Sequence, residues 1–236
     1  MKSVVHAAVG AAAQLHHHHE SEKMLRVLFL GNSETGKTSI IERLVYDQFE
    51  ENYTPTIGSD FLTSQNIEYR DDTYKLQLWD SAGLEKYQGL SVSFYRDIDI
   101  VCLVFSVTDL KSANSLNKWR EEFLIQAGMS VTSSFPFVVI GNKIDCMNDF
   151  NKRHCEKTIS TAKSWCAQFG YPYLETSAKS ETSSNLETLI VPQIIEKYVS
   201  SAKLENEENE HDEKLLPETE EGKQKRSGIC GNCSIL

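Results

Sequence analysis

Gly31-Asn32-Ser33-Glu34-Thr35-Gly36-Lys37-Thr38 decides the fold. The stretch follows the apolar run Leu25–Leu30, which reads as a short buried strand. It opens the segment Lys37–Asp47, where Ile40, Ile41, Leu44 and Val45 recur at helical spacing. In that setting the spacing G-x-x-x-x-G-K-[ST] is a cradle for polyphosphate. A loop of this length wraps a β-phosphate, and its backbone N–H groups point inward at a helix N-terminus. Gly31 and Gly36 permit the tight backbone, Lys37 neutralises the β- and γ-phosphates, and the Thr38 hydroxyl ligates Mg²⁺. Glu34 is out of place here, because a carboxylate beside polyphosphate is repelled. It is expected to face solvent and to weaken nucleotide affinity modestly.

Outward from this loop, strands alternate with helices. Phe61–Tyr69 and Thr73–Trp79 are extended runs around Asp71-Asp72 and predict a hairpin. Ile98–Val107 is a strongly apolar strand. Lys111–Ala127 carries Leu116, Trp119, Phe123 and Leu124 on one helical face. Phe135–Ile140 reads as a strand ending at Gly141, Lys157–Phe169 as a helix stopped by Gly170, Tyr171–Leu174 as a short strand and Leu186–Ser200 as a final helix. The order implies an α/β fold, a mainly parallel sheet with helices on both faces. Ligands of such sheets bind at the carboxyl ends of the strands. No internal repeat is visible.

The base that accompanies the phosphates is read elsewhere. Asn142-Lys143-Ile144-Asp145 follows the strand that ends at Gly141. An Asp carboxylate accepts two hydrogen bonds, from the N1–H and the 2-amino group of guanine, where adenine offers neither donor. Adenine would leave the carboxylate unpaired, so the pocket rejects it. Ser177-Ala178-Lys179, after the last short strand, completes the pocket, with a backbone N–H near Ala178 for the guanine carbonyl. Three motifs in this order, each just after a strand, point to GTP and GDP. A kinase or ATPase with the same phosphate loop is the rival, and Asn142 to Asp145 argue against it.

Most of the formal net charge of −10 sits in Leu204–Glu221, where nine Asp or Glu face one Lys. The rest of the chain is close to neutral, and no basic face argues for nucleic acid. The acid-rich stretch has no sustained apolar face, so 204–236 is expected to be a disordered tail. Of six cysteines, Cys102, Cys146, Cys155 and Cys166 lie apart in apolar or mixed segments and read as reduced intracellular thiols. No apolar run approaches the roughly 18–20 residues of a membrane span. Residues 1–23 are expected to be a disordered extension. Val4–Ala13 after Lys2 resembles a secretory signal only faintly, being Ala-rich and broken by His6, and His16–His19 read as solvated. The chain ends in Cys233-Ser234-Ile235-Leu236, a C-a-a-X pattern whose final Leu favours geranylgeranylation. Lys223, Lys225 and Arg226 lie just upstream and favour an anionic surface, which the acid run before them opposes.

The phosphate loop, Trp79-Asp80-Ser81-Ala82-Gly83, the Asn142–Asp145 stretch and Glu175-Thr176-Ser177-Ala178-Lys179 together resemble Ras-like GTPases, over about Leu25 to Ser200. Thr56-Ile57-Gly58-Ser59-Asp60-Phe61 looks like the Rab form of the first switch. Trp119 to Ala127 and Phe135 to Gly141 are similar to the Rab branch of late endosomes and lysosomes. The resemblance implies the small GTPase (Ras-like) form of the P-loop NTPase fold, with a six-stranded, mostly parallel sheet in a domain over 24–203. It implies that Thr56 joins the Mg²⁺ shell in the GTP state, that Asp80 holds the metal through water and that the Gly83 N–H meets the γ-phosphate. Phe49 would pack edge-on against the guanine, and Ser39, Tyr53 and Lys143 would also lie at the nucleotide. Gln48–Ser59 and Ala82–Tyr95 would be switch loops, ordered by the γ-phosphate. Phe61, Trp79 and Phe94 match an apolar triad that meets effectors, with ordinary core packing as the alternative. An exchange factor, an activating protein, a GDP-dissociation inhibitor and effectors are the implied partners. The implied location is the cytosolic face of a late endosomal or lysosomal membrane, with a soluble pool in the cytosol. Many Rab tails carry two lipidated cysteines set closer together than Cys230 and Cys233, which leaves Cys230 open.

One departure stands out. The family places Gln after Asp-x-Ala-Gly, and here that catalytic position holds Leu84. The Gln orients the attacking water, and a leucine side chain has no atom that does so. Slow hydrolysis is the expectation. A GTP-bound adaptor with negligible hydrolysis is the second reading.

Overall fold

In the computed structural model, the described residues are 23–51, 59–70, 72–81 and 95–215. The chain divides into two units, 1–201 and 202–236. In the first, strands β1 (Lys23–Leu30), β2 (Ser59–Tyr69), β3 (Asp72–Ser81), β4 (Ile100–Ser106), β5 (Phe137–Asn142) and β6 (Tyr173–Glu175) form one sheet in the order β2-β3-β1-β4-β5-β6. β2 runs antiparallel to β3 and every other neighbouring pair is parallel. This is the six-stranded, mostly parallel sheet expected.

The helices are α1 (Lys37–Tyr46), α2 (Leu110–Asn114), α3 (Leu116–Gln126), α4 (Lys152–Phe169) and α5 (Ser183–Leu215). Two apolar clusters account for their placement. Leu25, Val27 and Phe29 of β1, Ile100, Cys102 and Val104 of β4, and Val138 and Ile140 of β5 meet Ile40 and Ile41 of α1 and Leu186, Ile190 and Ile194 of α5. The alternate residues Leu28, Leu30, Val101, Leu103, Phe105, Phe137 and Val139 meet Leu116, Trp119, Phe123, Ala162 and Cys166 of α3 and α4. A strand covered on both faces must be apolar at every position, which is why β4 is buried from end to end. Each large side chain so buried contributes on the order of 2 kcal/mol.

Several boundaries differ from those expected. The expected helix over 111–127 is two helices that meet at Ser115, and Asp109 caps the first by accepting from Lys111 N and Ser112 N, which starts it at Leu110. The hairpin turns at Arg70, which has φ 58°, and Asp72 already pairs with Tyr69. β5 runs two residues further than expected, which makes Asn142 the end of a strand. α4 begins at Lys152 rather than Lys157, and its first turn shows no apolar period beyond the buried Cys155.

α5 carries Pro192 inside it and continues to Leu215. Residues 204–215, expected as the start of a disordered tail, are therefore helical. Glu, Lys and Leu, which rank high in helix propensity, make up eight of these twelve residues. Of the expected extension over 1–23, Lys23 opens β1 and residues 1–22 lie outside the described residues, as do the tail from 216 and 52–58 and 82–94 of the two switch loops. No helix among the described residues is long and apolar enough to cross a membrane.

Candidate functional site

The site lies where β1, β3, β5 and β6 end. Gly31 has φ 150° and Gly36 φ 89°, and Glu34 itself adopts φ 64°. A non-glycine residue in the left-handed region carries strain, of order 1 kcal/mol or more. Glu34 is exposed, as expected. Lys37 is buried, and its Nζ donates to the carbonyls of Gly31 at 2.9 Å and Asn32 at 3.0 Å. The ammonium thus sits on the loop's own carbonyl oxygens. Gly36 precedes α1 and, lacking a side chain, places no cap of its own on the helix amides.

Thr38 and Asp80 meet across the end of the sheet. Thr38 Oγ1 donates to Asp80 Oδ2 at 2.6 Å, and Asp80 is only 7% exposed. A hydroxyl and a carboxylate are hard oxygen donors and suit Mg²⁺, which takes few protein ligands and fills its octahedron with phosphate and water oxygens. No group of three or more His, Cys, Asp or Glu suited to a metal occurs among the described residues. Glu42, on α1, has its carboxyl pushed up by burial and by the negative charges of Glu50 and Asp80.

The base loops come together as the spacing predicts. Asp145 Oδ1 accepts from Ser177 Oγ at 2.5 Å, and Oδ2 accepts from Cys146 Sγ at 3.4 Å. Burial and the neighbouring Asp145 charge push the Cys146 thiol up, so it stays a neutral donor. The loops are tied by main-chain bonds, Ile144 N to Thr176 O at 3.2 Å and Thr176 N to Gly141 O at 2.8 Å. Lys143 takes φ 69°. Lys179 Nζ pairs with Glu51 Oε1 at 2.7 Å, which raises the lysine and lowers the glutamate.

Asn142 does more than the sequence suggests. It is 2% exposed, its Nδ2 donates to Thr35 O at 2.9 Å and its Oδ1 accepts from Ala178 N at 3.1 Å. One amide therefore joins the phosphate loop to the base loop. Arg43 was not foreseen at all. From α1 its Nε donates to Ala178 O at 3.1 Å. Nothing in the spacing of Arg43 marks it, because the contact spans 135 residues.

Other expected site residues are placed unevenly. Ser39 lies in the first turn of α1. Phe49 is half-buried against the first apolar cluster. Phe61 pairs with Trp79 across β2 and β3, their rings 4.7 Å apart, and Phe61 is 45% exposed, so it is no core residue. Tyr53, Thr56, Gly83, Leu84, Phe94, Cys230 and Cys233 lie outside the described residues.

Known proteins carry the same pattern. The Ras family profile matches residues 26–197. "Ras-related protein RABG3f" of Arabidopsis thaliana is 43% identical over 197 residues, covering 83% of this chain and 89% of the relative. "Ras-related protein Rab7" of Prunus armeniaca is 43% identical over 212 residues, with 88% and 96% covered. "GTP-binding protein yptV5" of Volvox carteri is 41% identical over 217 residues, with 89% and 98% covered. The chain belongs to the Ras family and, with its Rab7 and RABG3 relatives, to the Rab branch of it, and it is a GTPase that turns GTP into GDP and phosphate.

Proposed function

We propose that the chain is a GTP/GDP switch in vesicle transport, acting on the cytosolic face of a late endosomal or lysosomal membrane, with a soluble pool in the cytosol. The observation that carries this reading is Asn142, bonded at one end to Thr35 O and at the other to Ala178 N. It makes one nucleotide site of motifs more than a hundred residues apart. In that site Lys37 offsets phosphate charge, and Asp145, Ser177 and Ala178 select guanine. Thr38 binds Mg²⁺ directly, Asp80 binds it through water, and Thr56 joins in the GTP state. A Mg²⁺ ion held by these residues would supply positive charge against the phosphates. Gly83 N–H meets the γ-phosphate, and 48–59 and 82–95 switch with it. Phe61, Trp79 and Phe94 face effectors in the GTP state. Cys233 carries a geranylgeranyl group, and Cys230 is the second candidate for attachment. Exchange factor, activating protein and GDP-dissociation inhibitor complete the cycle.

Thr38→Asn is expected to weaken GTP binding more than GDP binding, by about tenfold or more in the ratio. The hydroxyl matters most when the γ-phosphate shares the metal, and even groups that only orient metal ligands are worth roughly 10- to 100-fold. Titration of both nucleotides in Mg²⁺ buffer measures it, and an unchanged ratio removes Thr38 from the metal site.

Hydrolysis rests on Leu84. Ras-type intrinsic turnover is already near 10⁻⁴ per second, to order of magnitude, and Leu84 removes the amide that positions water. The protein is therefore mostly GTP-bound and effector-competent. Leu84→Gln should raise single-turnover phosphate release from GTP-loaded protein by at least about tenfold. An activating protein that brings its own glutamine should restore turnover in the parent, whereas one that lends only an arginine should not. Equal rates with and without the substitution would mean that position 84 does not limit hydrolysis. If no activating protein speeds release, the adaptor reading stands instead.

A further inference from the structure

Asn32 is the second residue of the phosphate loop, and a helix outside the loop holds its side chain. Trp119, in the first turn of α3, is 3% exposed and packs in the second apolar cluster. Its Nε1–H donates to Asn32 Oδ1 at 2.8 Å. An indole N–H only donates, so this contact fixes which way the Asn32 amide points. Nδ2 then faces Ser115 Oγ at 3.4 Å. The Ser115 hydroxyl gives its proton to the carbonyl of Lys111 at 2.9 Å, so its oxygen is an acceptor toward Asn32. The polarity of the whole chain is thereby settled, from indole to amide to hydroxyl to carbonyl.

The main chain of the same residue faces the ligand side. Asn32 O accepts from Lys37 Nζ at 3.0 Å and from Thr35 Oγ1 at 3.0 Å. Holding the Asn32 side chain therefore fixes the carbonyl on which Lys37 rests. Helical spacing makes this geometry. Ser115 closes α2 and opens α3, and Trp119 N donates to Ser115 O at 3.0 Å, so the two side chains stand four residues apart on one face. One turn further along α3, Phe123 meets Tyr95 edge-on at 6.1 Å.

We propose that Trp119, supported by Ser115, is a positioning residue for nucleotide retention: through Asn32 it holds the phosphate loop in the shape that receives a β-phosphate. The inference rests on residues 31–38 being the phosphate loop. A buried indole N–H needs a partner in any case, so the test must separate loop positioning from ordinary stability.

The probes are GDP, which has the β-phosphate, and GMP, which has the same base and sugar without it. In the parent, GDP must bind far more tightly than GMP. If the two bind alike, the phosphate-loop reading itself fails. Trp119→Phe keeps the ring packing and removes one hydrogen bond. It should speed release of labelled GDP by about fivefold and leave GMP affinity unchanged. Asn32→Ala should do the same, and the double variant should be no faster than the faster single one, since both break one link. Ser115→Ala, a milder change at a half-buried position, should speed GDP release by about twofold, and it carries the test should Trp119→Phe fail to fold. Parallel losses for GDP and GMP, rates that multiply in the double variant, or unchanged GDP release would each overturn the proposal.

Discussion

Asp145→Asn should change the preferred base from guanine to xanthine, with the preference for GTP over XTP falling by a factor on the order of 10⁴. The size follows from what the carboxylate does. It accepts twice, and its two oxygens are held in place by Ser177 Oγ and Cys146 Sγ. An amide in the same position has one acceptor and one donor group. The donor then faces the 2-amino group of guanine, where two donors meet without an acceptor. Xanthine has a carbonyl at that position and satisfies the amide. Competition between GTP and XTP for the purified protein reads the effect. A variant that still prefers GTP as the parent does would place the pocket elsewhere.

Gly36→Ala should lower nucleotide affinity by on the order of 10²-fold while leaving the fold standing. Gly36 has φ 89°, where an L side chain is strained, and its Cβ would lie 2.3 Å from Asn142 Nδ2. A surface side chain would swing away from such a contact. Asn142 cannot, because it is buried and its amide is committed to Thr35 O and Ala178 N. The added methyl group must break one of these bonds or shift the loop. At Gly31 the outcome differs. A Cβ there would lie 2.0 Å from Val104 O, which belongs to the wholly buried β4, so Gly31→Ala should also lower the melting temperature. Isothermal binding of GDP together with thermal unfolding of both variants distinguishes the cases. Normal affinity for Gly36→Ala would contradict the close approach.

The fold was legible where the residues carry a local rule. The alternation of strands with helices announced a parallel sheet, and Ile100–Ser106 has its apolar continuity because both of its faces are covered. The Gly31–Thr38 and Asn142–Asp145 stretches declared their chemistry because phosphate and guanine dictate which atoms must face them. Legibility failed where the rule was not local. Leu116, Trp119, Phe123 and Leu124 keep a helical period, and that period says nothing of the cap at Asp109 or of the break at Ser115. The acids after Leu204 were read for their charge, although the same residues favour helix up to Leu215. Arg43 and the Asn32–Trp119 pair were invisible because their partners lie far along the chain. Asn142 was read as one more residue beside the nucleotide. Its work as a tie required seeing both ends.

That tie has a kinetic meaning. Phosphate grip and base grip share one amide, so they form a single clamp rather than two fingers. With the nucleotide seated as proposed, a shift of Ala178 as the base leaves would pull on Thr35, and a shift of Thr35 as the phosphates leave would pull on Ala178. Whatever opens it has leverage from either end, and a push applied at one loop is felt at the other without any further wiring.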